Sequence, residues 1–473
     1  MRSPPSLRAT LLALVTTGVT ALVVLAVSPL GSRPIATREG VLPAGTELND
    51  DLFDRPTERF AFEAAGGKRS YLFNLGDMAF SSPAIFGGLA RQAGISCDTC
   101  HQGGAGNSKL YIPGLSLRPG TFDTTNALFN PKTNNGVFDA VTPPSLRGAR
   151  YLAPYGHDGR SASLRDFIRN VIVDEFAGPE PSPEILDALV TYVQEISFLP
   201  NPNLAAGGRL TEAASAAARR GEVLFHKPFP RDASLSCAAC HKPSAAFVDR
   251  LLHDVGSGGL FKTPTLVSAN HNAPYFHDGR YDTYEQVIGH FDQAFALGLT
   301  DDARKDLVAY LEAVGHGEQP FTRETVDAVL DEIDNFASVL DTALDNRDLP
   351  VIELVVDTVG NEWRELGEQF PDRANTSIIG GLSERLAARR ATLAAGLSLR
   401  RIAMTAAAGD YQAARRAYAD YRKDAAAAQL VVKQAETWSL FDPATRERHF
   451  SALRQLDELA ATAPPWDSPS SHR

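Results

Sequence analysis

The chain has 473 residues, 44% of them hydrophobic, with 37 glycines, 30 prolines and a formal charge of −11 at neutral pH. That length exceeds one ordinary hydrophobic core, so two to four domains are expected. The acidic balance argues against a nucleic-acid partner, because phosphate binding needs a basic surface. It suits a basic electron-donor protein, though it serves solubility equally.

Arg2 and Arg8 precede an uncharged apolar run over 9–32, the arrangement of an export signal. Val24-Leu25-Ala26 offers small residues for cleavage, while the run is also long enough to span a bilayer. Residues 1–32 are therefore read as a signal peptide or an inner-membrane anchor, with the folded body outside the cytoplasm. No later segment is apolar enough to cross a membrane.

Two motifs use up all four cysteines: Cys97-Asp98-Thr99-Cys100-His101 and Cys237-Ala238-Ala239-Cys240-His241. The pattern reads as covalent c-type haem attachment. Two thiols three positions apart on a helical turn can reach both vinyl groups of one porphyrin. The following residue then presents an imidazole to the iron. Two covalently bound haem c groups are expected, with His101 and His241 as proximal ligands. Two structural disulfides, or one zinc site built from both Cys-x-x-Cys knuckles, are the competing readings. Neither explains a histidine directly after each second cysteine.

An internal repeat accompanies the motifs. Ala153-Pro154-Tyr155-Gly156-His157-Asp158-Gly159-Arg160 recurs as Ala273-Pro274-Tyr275-Phe276-His277-Asp278-Gly279-Arg280. Each copy follows a Pro-Ser/Thr-Leu segment, Pro144-Ser145-Leu146 or Pro264-Thr265-Leu266, and precedes a helix expected over 163–176 or 283–295. Helices over 182–196 and 301–314 close the two units. Thr211 is expected to cap a helix running to Phe225 that leads into the second motif. The first unit also carries a Gly/Asn/Pro-rich loop over 103–135. The fold is thus read as mainly α: two cytochrome c-like haem domains in tandem, 45–205 and 206–318. A C-terminal helical bundle follows over 319–462, with helices expected over 324–344, 351–366, 383–407, 411–437 and 443–460. A disordered tail is expected over 463–473.

The chemistry of each haem depends on the other face of its iron: a second strong ligand makes an electron carrier, an open position a peroxide or oxygen site. Met78 is the one methionine placed to ligate the first haem, although a methionine in an apolar setting usually belongs to the core. The segment 102–141 contains neither His nor Met, and Lys109, Tyr111 and Lys132 are weaker alternatives. In the second unit His253, in a glycine-flanked loop, and His290, on the helix after the repeat, are the leading distal candidates. Against each stands the plain reading of a hydrogen-bonded histidine. Arg160 and Arg280 suit haem propionates. Glu175 is a candidate catalytic acid for O–O cleavage, set against the plain reading of a solvated helix-end carboxylate. Calcium is admissible, but no residue pattern calls for it.

Two haem motifs, each followed by Pro-Tyr-x-His-Asp-Gly-Arg, closely resemble the bacterial di-haem cytochrome c peroxidase and MauG-type superfamily over about 73–314. The resemblance implies that the C-terminal haem accepts electrons and passes them to a peroxidatic N-terminal haem. Departures matter here. The family's distal histidine in the loop after the first motif has no counterpart. Its distal Met or Tyr on the helix after the second repeat aligns with Phe291, beside His290. Its catalytic glutamine aligns with Phe167, its inter-haem tryptophan with His157 and its catalytic glutamate with Glu175. The resulting expectation is an exported di-haem cytochrome reducing hydrogen peroxide, or another small oxidant, at the N-terminal haem. Its donor would be a small cytochrome c or cupredoxin. A non-enzymatic electron carrier and a MauG-like oxidase of a partner protein are the alternatives.

Overall fold

The structure, a computed structural model, describes residues 41–49, 53–372 and 380–462. The leader or anchor expected over 1–32 and the tail expected over 463–473 lie outside the described residues. The fold is mainly helical, with two short two-stranded sheets among the described residues.

In the first motif-bearing region, strand β1 (Asp54–Pro56) precedes α1 (Tyr71–Ser81) and the motif turn α2 (Cys97–Cys100). After the long loop come α3 (Leu164–Asn170) and α4 (Pro183–Glu195). Ser70 and Ser182 cap α1 and α4 by accepting from the amides of Phe73 and Ile185, which have no carbonyl partner inside the helix. The helix expected over 163–176 is not uniform: α3 passes at Val171–Glu175 into a π-helical turn.

The second region runs through α5 (Ala216–His226), α6 (Cys237–Cys240), the hairpin β2 (Leu252–His253) and β3 (Phe261–Lys262), α7 (Tyr284–Phe295) and α8 (Asp301–Gly315). Thr211 does not cap α5. Its hydroxyl donates to the Pro202 carbonyl at 2.6 Å, and Ser215 stands where its oxygen can accept from the Ala218 amide at 3.1 Å.

The two regions are built on one plan. α1 crosses α4 at Gly76, where a Cβ would stand 2.0 Å from the Ala188 carbonyl oxygen and 2.9 Å from the Tyr192 Cβ. α5 crosses α8 at Gly221 in the same way, 2.0 Å from the Asp306 carbonyl oxygen and 2.8 Å from the Tyr310 Cβ. Only glycine allows so close a backbone approach.

The regions also grip each other reciprocally. The Thr142 amide donates to the His277 carbonyl at 2.7 Å, and the Lys262 amide donates to the His157 carbonyl at 2.8 Å. Thr142 and Lys262 are 120 positions apart, as are His157 and His277, so equivalent groups exchange equivalent bonds. That is the signature of a local two-fold relation. Gly159 and Gly279 both have positive φ, and a side chain at either would meet the opposite region, at Leu252 or Thr121.

The C-terminal part begins with β4 (Phe321–Arg323), which pairs antiparallel with β1 in the register Arg55–Thr322. Helices α9 (Val326–Asn346), α10 (Leu349–Glu368), α11 (Leu382–Ala407), α12 (Tyr411–Gln434) and α13 (Pro443–Thr462) follow, close to the bounds read from apolar spacing. α9 and α10 pack on α1, so that Phe73, Leu75 and Met78 share one core with Ile333, Phe336 and Trp363. The second region keeps a separate core around Phe225, Phe247, Ile288 and Tyr310.

Gly76→Ala and Gly221→Ala should each destabilise the protein by about 1–3 kcal/mol, the cost of overpacking a close helix crossing. Urea denaturation with an unchanged slope would measure this, and unchanged midpoints for both variants would contradict the crossing geometry.

Candidate functional site

Each Cys-x-x-Cys-His motif is one helical turn closed by its histidine. The His101 amide donates to Cys97 O at 3.0 Å and the His241 amide to Cys237 O at 2.9 Å. All four cysteines are free of disulfides. The four sulfurs do not converge either: among the described residues, the one cluster of three potential metal-ligating side chains is Cys240, Asp249 and His253. A zinc site made from both knuckles therefore has no geometric basis. Burial pushes Cys237 up to about 11 and Cys100 up to about 12, so neither is a ready thiolate.

The histidines are set up as ligands. His101 Nδ1 donates to the Pro144 carbonyl at 2.9 Å, and His241 Nδ1 donates to the Phe247 carbonyl at 3.2 Å. A ring nitrogen committed to a carbonyl fixes the tautomer and leaves Nε2 with its lone pair free. Burial lowers both imidazoles, His101 to about 4, which keeps them neutral near pH 7. Two thiols on one turn followed by an oriented neutral imidazole is the donor set that a haem requires.

Glu175 ends the π turn beside the first centre, with 13% of its side chain exposed. Its Oε1 accepts from Arg160 Nη2 at 2.6 Å. Burial raises its pKa, and the neighbouring Arg160 and Thr124 only partly offset this. The long loop of the first region clasps this turn. Asn130 Nδ2 and Thr133 Oγ1 each donate to the Asp174 carbonyl at 2.6 Å, which a π turn leaves short of an intrahelical partner. Phe122 and Phe129 pack on Phe176. At the 120-residue offset, the second region has Phe295 where the first has Glu175. An acid at this position is thus found in the first region alone.

The candidate distal ligands stand differently. Met78 is 0% exposed, enclosed on every side by the core that α1 shares with the bundle. His290 has both ring nitrogens engaged: Nε2 donates to the Val255 carbonyl at 2.7 Å, and Nδ1 accepts from the Tyr281 hydroxyl at 3.0 Å. His253 Nε2 donates to Asp249 Oδ2 at 2.7 Å, and its ring lies beside Cys240. Arg280 is committed to Asp278 and to the carbonyls of Gly256 and Ser257, holding the loop that covers His290. His157 Nε2 donates to the Thr142 carbonyl at 2.8 Å, and burial lowers its pKa to about 4.

Sequence reasoning missed Arg147. It is 2% exposed, donates through Nη2 to the Thr57 carbonyl at 2.9 Å, and has an unpartnered Nε. Burial lowers its pKa to about 10. The available signal was its place directly after Pro144-Ser145-Leu146, where the second repeat has Val267.

A charged junction ties the first motif to the bundle. Arg55 of β1 contacts Asp98, inside the motif, and lies 3.6 Å from Glu324 at the start of the bundle. Around it stand Glu58, which accepts from Tyr192 at 3.0 Å, and Asp77, paired with Arg69 at 2.7 Å. Burial and then Glu58 raise Asp77 to about 7; burial and then Glu365 raise Glu362 to about 8. An acid whose folded pKa lies above its unfolded value binds more protons in the folded state, so stability falls as pH rises through that window. Melting temperature should therefore drop by a few degrees between about pH 4 and pH 8. Asp77→Asn with Glu362→Gln should flatten the profile in calorimetry, and an unaltered slope would contradict the assignment.

Comparison with known proteins finds relatives of parts of the chain. Residues 215–341 match the sequence profile of the di-haem cytochrome c peroxidase family. The match covers the second region and extends into α9, whereas the resemblance read from the motifs was expected to end near 314, outside the bundle. Hydrazine synthase subunit gamma of Kuenenia stuttgartiensis is 27% identical over 230 residues, 36% of this chain and 63% of that subunit. The chain thus spans just under two thirds of that relative. Methylamine utilization protein MauG of Methylorubrum extorquens is 25% identical over 297 residues, 51% of this chain and 77% of that protein. A solved Kuenenia stuttgartiensis hydrazine synthase chain overlaps 65% of this chain and 99% of its own length, at 22% identity and a TM-score of 0.38.

Proposed function

Kinship with the di-haem cytochrome c peroxidase and MauG-type superfamily is the premise from which we propose an exported cytochrome carrying two covalent haem c groups and reducing hydrogen peroxide at the first centre. The kinship itself brings haem-based redox chemistry. Cys97, Cys100 and His101 would hold one haem, and Cys237, Cys240 and His241 the other. When bound, each group supplies a one-electron couple and, where its sixth position is open, a site for peroxide.

The observation that carries the reading is the asymmetry at Glu175. Peroxide cleavage needs a group that can give up and recover a proton beside the bound oxidant, and burial moves the Glu175 carboxyl up from its ordinary value. Arg160 aims it at 2.6 Å, and the loop unique to the first region holds the π turn that presents it. The second region has Phe295 at that position, and the acid beside its motif, Asp249, is held below its ordinary value, burial being outweighed by hydrogen bonds from Leu251 and His253. Electron entry is accordingly assigned to the second centre, with His253 as the candidate further ligand through Nδ1: its Nε2 is held by Asp249, whereas both ring nitrogens of His290 are held, by Val255 and Tyr281. Met78 is assigned to the core. Arg147, a buried cation with an unmet donor, would pair a haem propionate. The acidic surface fits a basic donor protein such as a small cytochrome c or cupredoxin.

Glu175→Gln should lower peroxide-dependent oxidation of a reduced donor by about 10²–10⁴-fold, the usual worth of general acid–base catalysis. The haem absorption spectrum should stay unchanged. Turnover within a few-fold of the parent would contradict the role of Glu175. Low-spin, six-coordinate signals from both haems without peroxide turnover would remove the peroxidase reading as a whole.

A further inference from the structure

The α11–α12 hairpin is used by neither haem centre, and its charge is opposite to that of the rest of the molecule. Residues 382–434 carry ten Lys/Arg against four Asp/Glu, a net +6, which leaves −17 for the remainder of a chain whose total is −11. α11 buries Ala388, Thr392, Ala395, Leu399, Ile402 and Ala406 against the bundle. Its opposite face carries Leu386, Arg390, Leu393, Leu397, Arg400 and Met404, spaced alternately by four and three residues so that they form one outward stripe. Leu393 is 57% and Met404 71% exposed, and nothing among the described residues covers them.

The charges on this face are free as well. Arg390, Arg400 and the adjacent Arg401 make no ion pair among the described residues, in contrast to Arg389 and Arg415, which meet Asp372 and Asp345. No acidic side chain belongs to the stripe. Apolar side chains in a row, flanked by unpaired arginines on a helix otherwise anchored in a folded body, have the chemistry of a surface that lies on anionic lipid. No described helix is long and apolar enough to cross a bilayer, so the contact would be peripheral.

We propose that the outer face of α11 docks the protein on an anionic phospholipid membrane, with Leu393, Leu397 and Met404 entering the headgroup boundary and Arg390, Arg400 and Arg401 meeting lipid phosphates. This assignment does not depend on the peroxidase reading or on whether residues 1–32 remain attached. The apolar run over 9–32 would itself favour membranes, so the reporter must sit on α11. In the haem-loaded chain the four native cysteines are tethered, and Leu397→Cys can be labelled alone with an environment-sensitive fluorophore. Emission should shift to the blue on vesicles containing phosphatidylglycerol, and remain unshifted on pure phosphatidylcholine. Combining the label with Arg390→Glu, Arg400→Glu and Arg401→Glu should weaken the vesicle response by on the order of a hundredfold, as expected for three charges at an anionic surface. These residues point outward, so circular dichroism should be unchanged. Absence of a shift on any vesicle would overturn the proposal. So would a shift without lipid that grows with protein concentration, which would assign the face to a second copy of the chain.

Discussion

The candidate haem centres depend on one kind of hydrogen bond, from an imidazole Nδ1 to a main-chain carbonyl. Without it, a histidine after a Cys-x-x-Cys turn is free to rotate or change tautomer. With it, at 2.9 Å for His101 and 3.2 Å for His241, the tautomer and orientation are fixed and Nε2 is directed to one use, while burial keeps the ring neutral. The carbonyl that receives His101 belongs to Pro144, in the segment that leads into the His-Asp-Gly-Arg repeat. The repeat loop in turn forms the contact between the two regions, through the bonds at Thr142 and Lys262. Ligand orientation and domain pairing are therefore mechanically continuous.

Symmetry in the scaffold makes the differences between the centres informative. Glycine crossings at Gly76 and Gly221 and the reciprocal amide bonds are shared, so they belong to the fold. Glu175 with its π turn, the long loop and Arg147 occur in the first region alone. The repeat arginines show the same divergence: Arg160 supports a carboxylate, whereas Arg280 holds a loop over His290. One scaffold thus presents an arginine-paired glutamate near one Cys-x-x-Cys-His turn and an aspartate-paired histidine near the other. The bundle adds to the asymmetry, because it shares its core with the first region and reaches the first motif through Arg55 and Asp98.

Local features of this architecture were legible in the sequence and long-range ones were not. The motif turns, the repeat and the bundle helices follow from spacing, because apolar periodicity and Cys-x-x-Cys-His are encoded over a few residues. The start of α5 was misread because Thr211 and Ser215 are chemically equivalent caps, and only the chain path decides between them. The π turn at Glu175 is stabilised by Asn130 and Thr133, some forty residues away, so no local pattern announces it. Likewise, amphipathic helices show that they bury one face but not against what, which hid the packing of α9 and α10 on α1. The environment of His290 also depends on a tertiary contact, with Val255.

Intact mass of the protein, produced together with a competent haem-ligation system and then denatured, tests the central claim most directly. The result expected is the mass of the processed polypeptide plus two porphyrins, retained after unfolding because thioether bonds survive it. An unmodified polypeptide mass, or bound zinc in the native preparation, would contradict it.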